Sequence, residues 1–316
     1  MNSTSFPRED KAPTLLASDI IAEAHRCGAS SVGIARAETV GEHARDLYGH
    51  FIAEGRQGAM SWMERNDEVR NDPRLLLDGT RSLIVCLFSF HSKASQAPGA
   101  PYVSRYALGR DYHKVLRRRL KPLCEMLAAG GFASRICIDS APLRERYWAS
   151  RSGAAIIGLN NCLIVPGKGT SFVMATVLTT ASLTPTLPLC PEAADGRIAC
   201  ERCGRCVRAC PTGALHSDGS VDASRCLCYL TIEAPDDVPL PRLDKKYAFG
   251  CDECRLACPH TADDIPSEIA DFAPRKSILD MTADDWLALD EQRYRTLFNG
   301  TPIRRASLQR LLNNLR

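Results

Sequence analysis

Long apolar runs are missing from this 316-residue chain. None approaches the roughly 20 consecutive apolar residues that a membrane-spanning helix requires. The opening MNSTSFPREDK likewise has no apolar core of the kind a secretory signal carries. The expected setting is a reducing cytoplasm, with no membrane association. Net charge is also scarce: 40 Lys and Arg against 37 Asp and Glu leave a formal charge of +3. A small excess of that kind does not point to a polyanion partner, because such binding depends on clustered charge. There is no low-complexity segment, and the 45% hydrophobic content is ordinary for a globular protein.

Cysteine is abundant, with fifteen in all. Eight are grouped: Cys200, Cys203, Cys206 and Cys210 are answered by Cys226, Cys251, Cys254 and Cys258, and Pro211 and Pro259 follow the last cysteine of two runs. The first run reads C-x2-C-x2-C-x3-C-P, the spacing with which two-cluster ferredoxins hold 4Fe-4S clusters, three thiolates from one run and the fourth from the other. On that logic one cluster takes Cys200, Cys203, Cys206 and Cys258, and the second takes Cys210, Cys226, Cys251 and Cys254. Structural zinc also uses C-x2-C pairs, but two interleaved sets with Cys-Pro endings suit cubanes better. The seven scattered cysteines read as small core residues, with Cys190 and Cys228 closest to the clusters. A two-cluster module needs far fewer residues than are present, so the preceding stretch is expected to bind a redox partner or substrate.

The pattern divides the chain into a disordered start (1–12), an α+β domain (13–186), a two-cluster ferredoxin-like domain (187–266, entered through the Pro-rich TPTLPLCPEAADG) and a helical tail (267–316). Residues 15–28 and 42–55 have helical spacing; SVGIA, SLIVCLFSF, ASRICID, NCLIVP and SFVMATVLTT read as strands. The unbroken apolar run in SLIVCLFSF fits a strand buried on both faces. The spacing predicts one amphipathic helix over 111–131, ending at Gly130-Gly131. LRERYWASR is expected to be a helix, and Thr282 an N-cap ahead of Asp284 and Asp285. The order lacks a strict βαβ repeat, which favours an α+β arrangement on a mixed sheet. Read alone, Asp139 and Ser140 before Pro142 suit a helix N-cap. Arg117, Arg118 and Arg119 read as a solvated helix face.

The segments YVSRYALGRDYHK (102–114), DSAP followed by ER (139–146), RCLCYLTIE (225–233) and GCDECRLACP (250–259) resemble those of the epoxyqueuosine reductase family. RNDPRLLLDGTRSLI (70–84) and the tail FNGTPIRRASLQRLLNNL agree in character and order. The resemblance implies a cobalamin-dependent oxidoreductase that reduces epoxyqueuosine to queuosine at the wobble position of tRNA. It implies an N-terminal cobalamin-binding domain similar in fold to reductive dehalogenases, with two 4Fe-4S clusters relaying electrons to cobalt from a donor such as a flavodoxin or ferredoxin. A monomer is expected.

At residue level, the resemblance makes Asp139 the proton donor, and such a carboxyl needs a pKa raised by burial. It places Arg105 and Tyr106 against cobalamin, with Arg110 and His113 nearby. It also opens phosphate contacts to Arg117, Arg118, Arg119, Arg304 and Arg305. The family's G-W-I-G-K pattern is Ala155, Ile156, Ile157, Gly158 and Leu159 here. A usual glutamate is Thr176, and the usual serine two residues after Cys226 is Cys228. Such losses of charge and aromaticity are expected to alter the pocket. Longer members continue into HEAT-like repeats beyond the point matching Arg316.

Overall fold

In the computed structural model, residues 16–189 and 200–316 are described. The start expected to be disordered, Cys190, and most of the Pro-rich junction lie outside them. A helix, Ala17–Arg26, leads into strand β1 (Ser31–Arg36), as the spacing predicts. After helical turns across Glu42–Ala53 and Asp67–Asn71 comes β2 (Ser82–Ser89), all eight residues of which are buried.

That run is apolar throughout because β2 feeds two cores. Successive side chains of a strand point to opposite faces. Ile84, Cys86 and Phe88 join Ile20, Leu116 and Leu123 on one side. Leu83, Val85 and Leu87 join Leu143, Trp148 and Ala149 on the other.

The chain continues through β3 (Tyr102–Val103), β4 (Ser134–Cys137), β5 (Ile156–Ile157), β6 (Leu163–Ile164), β7 (Phe172–Thr179) and β8 (Tyr247–Phe249). The main sheet has the order β1-β2-β7-β4. All its pairings are antiparallel, which corrects the expected mixed sheet. Its connections bring the chain back in the opposite direction and do not make the right-handed crossover that parallel neighbours require. Among the described residues the parallel pairing is a separate two-stranded one, β3 with β8. The α+β class stands.

A second correction concerns 111–131. The helix is broken into Tyr112–Arg119 and Lys121–Ala129, with Leu120 closing the first and Pro122 at the opening turn of the second. Proline has no N–H to continue the first helix, and its ring crowds the carbonyl four residues back. The amphipathic pattern persists across the break, so periodicity alone reads straight through it.

The C-terminal segment shares its core with earlier parts of the chain. Val103, Ala107 and Leu108 meet Ala248 and Phe249, and on these lie Ile278, Trp286, Phe298, Leu311 and Leu315. Asn314 donates to the carbonyls of Thr231 and Ala248 at 3.0 and 2.9 Å. The buried Arg310 donates to those of Pro235 and Val238. The tail thereby fixes the strand that delivers Cys251. Thr282 caps Ala283–Leu287 in a reciprocal capping box with Asp285.

Candidate active site

The first cysteine set converges. Cys200, Cys203, Cys206 and Cys258 line one hollow of about 340 Å3, partly open to solvent, with Leu159, Asn160 and His260 on its wall. Left-handed Gly204 (φ +71°) turns the chain between Cys203 and the short helix carrying Cys206. The Leu159 amide points at Cys200 Sγ, 3.5 Å away. Burial pushes the Cys206 thiol up and that of Cys258 to about 11.

The second set, Cys210, Cys226, Cys251 and Cys254, is linked by mutual electrostatics. Burial raises Cys226, with Cys210 adding to the rise. Burial raises Cys251 to about 12, with Cys226 contributing. Cys254 is raised first by its bond with Cys162 and then by burial, Cys226 and Cys251. At Cys210 burial works upward, but the amides of Leu215, Thr212 and Ala214 and the Thr212 hydroxyl outweigh it and hold the thiol low. Thiols crowded this way ionise together only around a multivalent metal centre. Among the described residues no three His, Cys, Asp or Glu side chains close on the geometry of a single ion. Sulfurs arranged around a hollow fit a multi-atom cluster better than a lone zinc.

Asp252 joins this region to the 102–106 motif. It sits in the left-handed region (φ +68°) and accepts from Tyr102 Oη (2.9 Å), Ser104 Oγ (2.8 Å) and the Arg105 amide (2.9 Å). Burial works to raise its pKa, but Arg255 and these donors hold it below the usual carboxylate range. Gly250 (φ +71°) makes the approach possible, since a Cβ there would stand 2.5 Å from Ser104 Cβ. Arg105 is thus fixed by its backbone. Tyr106 packs among Phe90, Tyr112 and Phe249. Its hydroxyl is raised by burial, with the charges of Asp252 and Asp139 adding to the rise.

Asp139 follows β4 in a left-handed turn (φ +49°). Its carboxylate accepts from Tyr112 Oη at 2.9 Å and pairs with His113 Nε2 at 3.2 Å. His113 Nδ1 in turn meets Asp111 at 2.8 Å. Behind the turn, the Asp139 amide donates to Glu145 Oε1 at 3.0 Å.

Two expectations are corrected here. Asp139 caps no helix: the helix Glu145–Arg151 begins after Arg144, and the Asp139 side chain turns toward Tyr112 and His113. Nor is its pKa raised. The His113 hydrogen bond lowers it against the opposing effect of burial, with Tyr112 assisting. The protons are held by its neighbours. His113 is raised to about 9 by its bonds to Asp111 and Asp139, and burial together with the charge of Asp139 raises Glu145 to about 8.

Several sequence positions take unexpected places. Leu159, where a cation is usual in the family pattern, is 3% exposed and covers the first cysteine set beside Cys206 and Leu215. Thr176 is fully buried in the main sheet between Val85 and Cys137, its hydroxyl without a partner among the described residues. Of the basic residues, Arg118 pairs with Asp271 at 2.5 Å, Arg119 donates to the Cys27 carbonyl, and Arg304 lies over Tyr294. Arg110 is 3.5 Å from Asp271, and Arg117 is exposed. Sequence reasoning missed Glu145, Asp252, Tyr112 and Cys162. The first three lie within the quoted motifs, which was the available signal; Cys162 had none.

Comparison with known proteins agrees with this geometry. The family model for epoxyqueuosine reductase QueG, DUF1730, matches residues 70–140, and that for a 4Fe-4S double cluster binding domain matches residues 199–261. The epoxyqueuosine reductase of Gloeobacter violaceus is 37% identical across 96% of this chain and 95% of its own length. The chain belongs to the epoxyqueuosine reductase family. Another family member, from Pseudomonas aeruginosa, is 34% identical over 96% of this chain and 84% of its own length. Among solved structures, an epoxyqueuosine reductase crystallised with an epoxyqueuosine-modified tRNA-Tyr stem loop superposes with a TM-score of 0.81 at 23% identity, covering 94% of this chain and 79% of the other. The enzyme of Streptococcus thermophilus gives 0.80 at 22% over the same shares. These structures share the fold.

Proposed function

We propose that this member of the epoxyqueuosine reductase family reduces epoxyqueuosine in tRNA to queuosine. The reaction consumes two electrons and two protons and releases the epoxide oxygen as water. Cys200, Cys203, Cys206 and Cys258 would hold one 4Fe-4S cluster, and Cys210, Cys226, Cys251 and Cys254 the other. Cobalamin would lie between Tyr106, Arg105 and the Asp139 recess. When bound, cobalamin supplies the reducing chemistry at the epoxide and the clusters supply its electrons, drawn from a donor such as a flavodoxin or ferredoxin.

The observation that carries this reading is the direct link between the two functional regions. Asp252, one residue from Cys251, holds Arg105 by its amide, and the adjoining Tyr106 ring reaches to Tyr112 at the edge of the Asp139 recess. The chain's own part is then proton delivery. Asp139 presents a carboxylate to the substrate, and His113, protonated up to about pH 9, hands its proton along their 3.2 Å contact. Asp111 holds the imidazole from its far side through the 2.8 Å contact with Nδ1. Protonation near the leaving oxygen is the step for which such a donor is suited. Tyr112, whose hydroxyl stays protonated because burial raises it, keeps Asp139 aimed.

No helix among the described residues is long and apolar enough to cross a membrane; the reading takes the enzyme as a cytoplasmic monomer. The test is anaerobic reconstitution with iron, sulfide and cobalamin, followed by assay on a stem loop containing epoxyqueuosine. About eight irons per chain, one corrinoid and queuosine as product are expected. A protein that binds both cofactor types but leaves the stem loop unchanged overturns the substrate.

A further inference from the structure

Resting on that functional reading, we propose that Trp62 and Arg305 form a stacking platform beside the 105–107 turn that takes an unpaired base neighbouring the modified nucleotide. Of the three tryptophans in the sequence, Trp148 and Trp286 are fully buried while Trp62 is 39% exposed. Its main chain is pinned, since Arg70 Nη2 donates to the Trp62 carbonyl at 2.9 Å. The Arg305 guanidinium stands over the indole, 5.3 Å from the ring centroid.

Arg305 is itself held rigidly. Nε and Nη2 donate to the two carboxylate oxygens of Glu233, both at 2.9 Å. Nη1 makes no hydrogen bond among the described residues, and the side chain is 58% exposed. The turn Pro302–Arg305 that carries it packs against the turn Arg105–Ala107, whose Tyr106 ring meets Tyr112, the hydrogen-bond donor to Asp139. The floor under Trp62 is shared with the cluster region: the Ala59 amide donates to Tyr229 Oη at 2.7 Å, and Gly58 lies so close that a Cβ would meet that ring at 2.6 Å.

A fixed aromatic plane beside a fixed guanidinium with a free N–H is the surface that single-stranded RNA uses. One face takes an unstacked base and the N–H takes a phosphate oxygen. A nucleotide drawn toward Asp139 must leave its stack, and its neighbour then needs a new partner for its exposed face. Duplex RNA, whose bases are already covered, gains nothing from such a plane.

The measurement is binding of an unmodified anticodon stem loop, and of a fully paired hairpin of equal length, to reconstituted protein, with Trp62→Ala, Trp62→Phe and Arg305→Lys beside the wild type. Acrylamide quenching reports on Trp62, the exposed indole. The stem loop is expected to shield the wild-type fluorescence. Trp62→Ala should weaken stem-loop binding about tenfold or more, with Trp62→Phe recovering most of it, given the usual strength of base–aromatic stacking. Arg305→Lys, which keeps charge but loses the planar fork, should fall between. Paired hairpin and cobalamin affinity should be unchanged in every variant. Stem-loop affinity equal to wild type in Trp62→Ala overturns the platform, as does weakened cobalamin binding with unaltered RNA binding. If the wild type binds no stem loop, the functional reading falls and the platform with it.

Discussion

Seven of the eight cysteines proposed as cluster ligands come from two short runs, 200–210 and 251–258, whereas the Asp139 site gathers Tyr106, Tyr112, His113, Asp139 and Glu145 from a turn, two helices and the loop after β4. The cysteine sites use one kind of donor at fixed spacing, and their thiols are mostly driven upward by burial and by one another. The recess uses unlike groups whose shifts diverge: Asp139 goes down while His113 and Glu145 go up. On the proposed function, the first arrangement would hold the clusters, and the second would keep a proton available at neutral pH next to an ionised carboxylate. Uniform donors tolerate local coding, but opposed titrations require that several elements meet.

The comparison can be broken most severely at Cys258, the residue that crosses from the second run to the first hollow. Cys258→Ser should cut iron from about eight to about four per chain and abolish turnover, read by iron analysis and visible absorbance. Retention of all the iron would break the interleaved assignment. Next is Asp139→Asn, which should leave iron and corrinoid content intact and lower turnover by about 10²- to 10⁴-fold, the range for a positioned proton donor.

Glu145 gives a smaller and more diagnostic effect. Glu145→Ala removes the acceptor of the Asp139 amide and should cost roughly tenfold in activity, with faster hydrogen exchange at that amide. Glu145→Gln keeps an acceptor there and should exchange as slowly as wild type. Glu145 carries a folded-state pKa raised from 4.5 to about 8, so its native proton is lost as pH climbs and stability falls across that window. The Gln variant should lose this dependence.

The smallest effect on stability is at His113. Its pKa, raised from 6.5 to about 9, contributes stability that is complete below about 6.5 and lost as pH rises through about 9. His113→Gln should flatten that part of the curve of melting temperature against pH. An unchanged alkaline limb would remove the imidazole from the pair with Asp139.

Legibility in the sequence followed the range of the interactions. The β2 run announced a doubly covered strand because each of its residues needed an apolar neighbour, and Thr282 announced its helix because a cap bonds only three residues ahead. The break at Leu120 was hidden, since Pro122 at the start of a second helix leaves the apolar stripe intact. The setting of Leu159 was hidden for a related reason: its motif position says which residue is altered, while only the packed chain shows that it faces the first cysteine set.

By itself the sequence determined the cysteine spacing, the apolar periodicity and the motifs that gather the site residues, because each depends on neighbours a few residues apart. The tertiary structure decided the rest. It set the antiparallel direction of the sheet, seated the tail on β8, joined Asp252 to Arg105 and gave His113, Glu145 and Asp139 their opposed titrations. A pKa is fixed by which charges and donors lie within a few ångströms, and His113 and Asp139, 26 positions apart, acquire that proximity only when the chain folds.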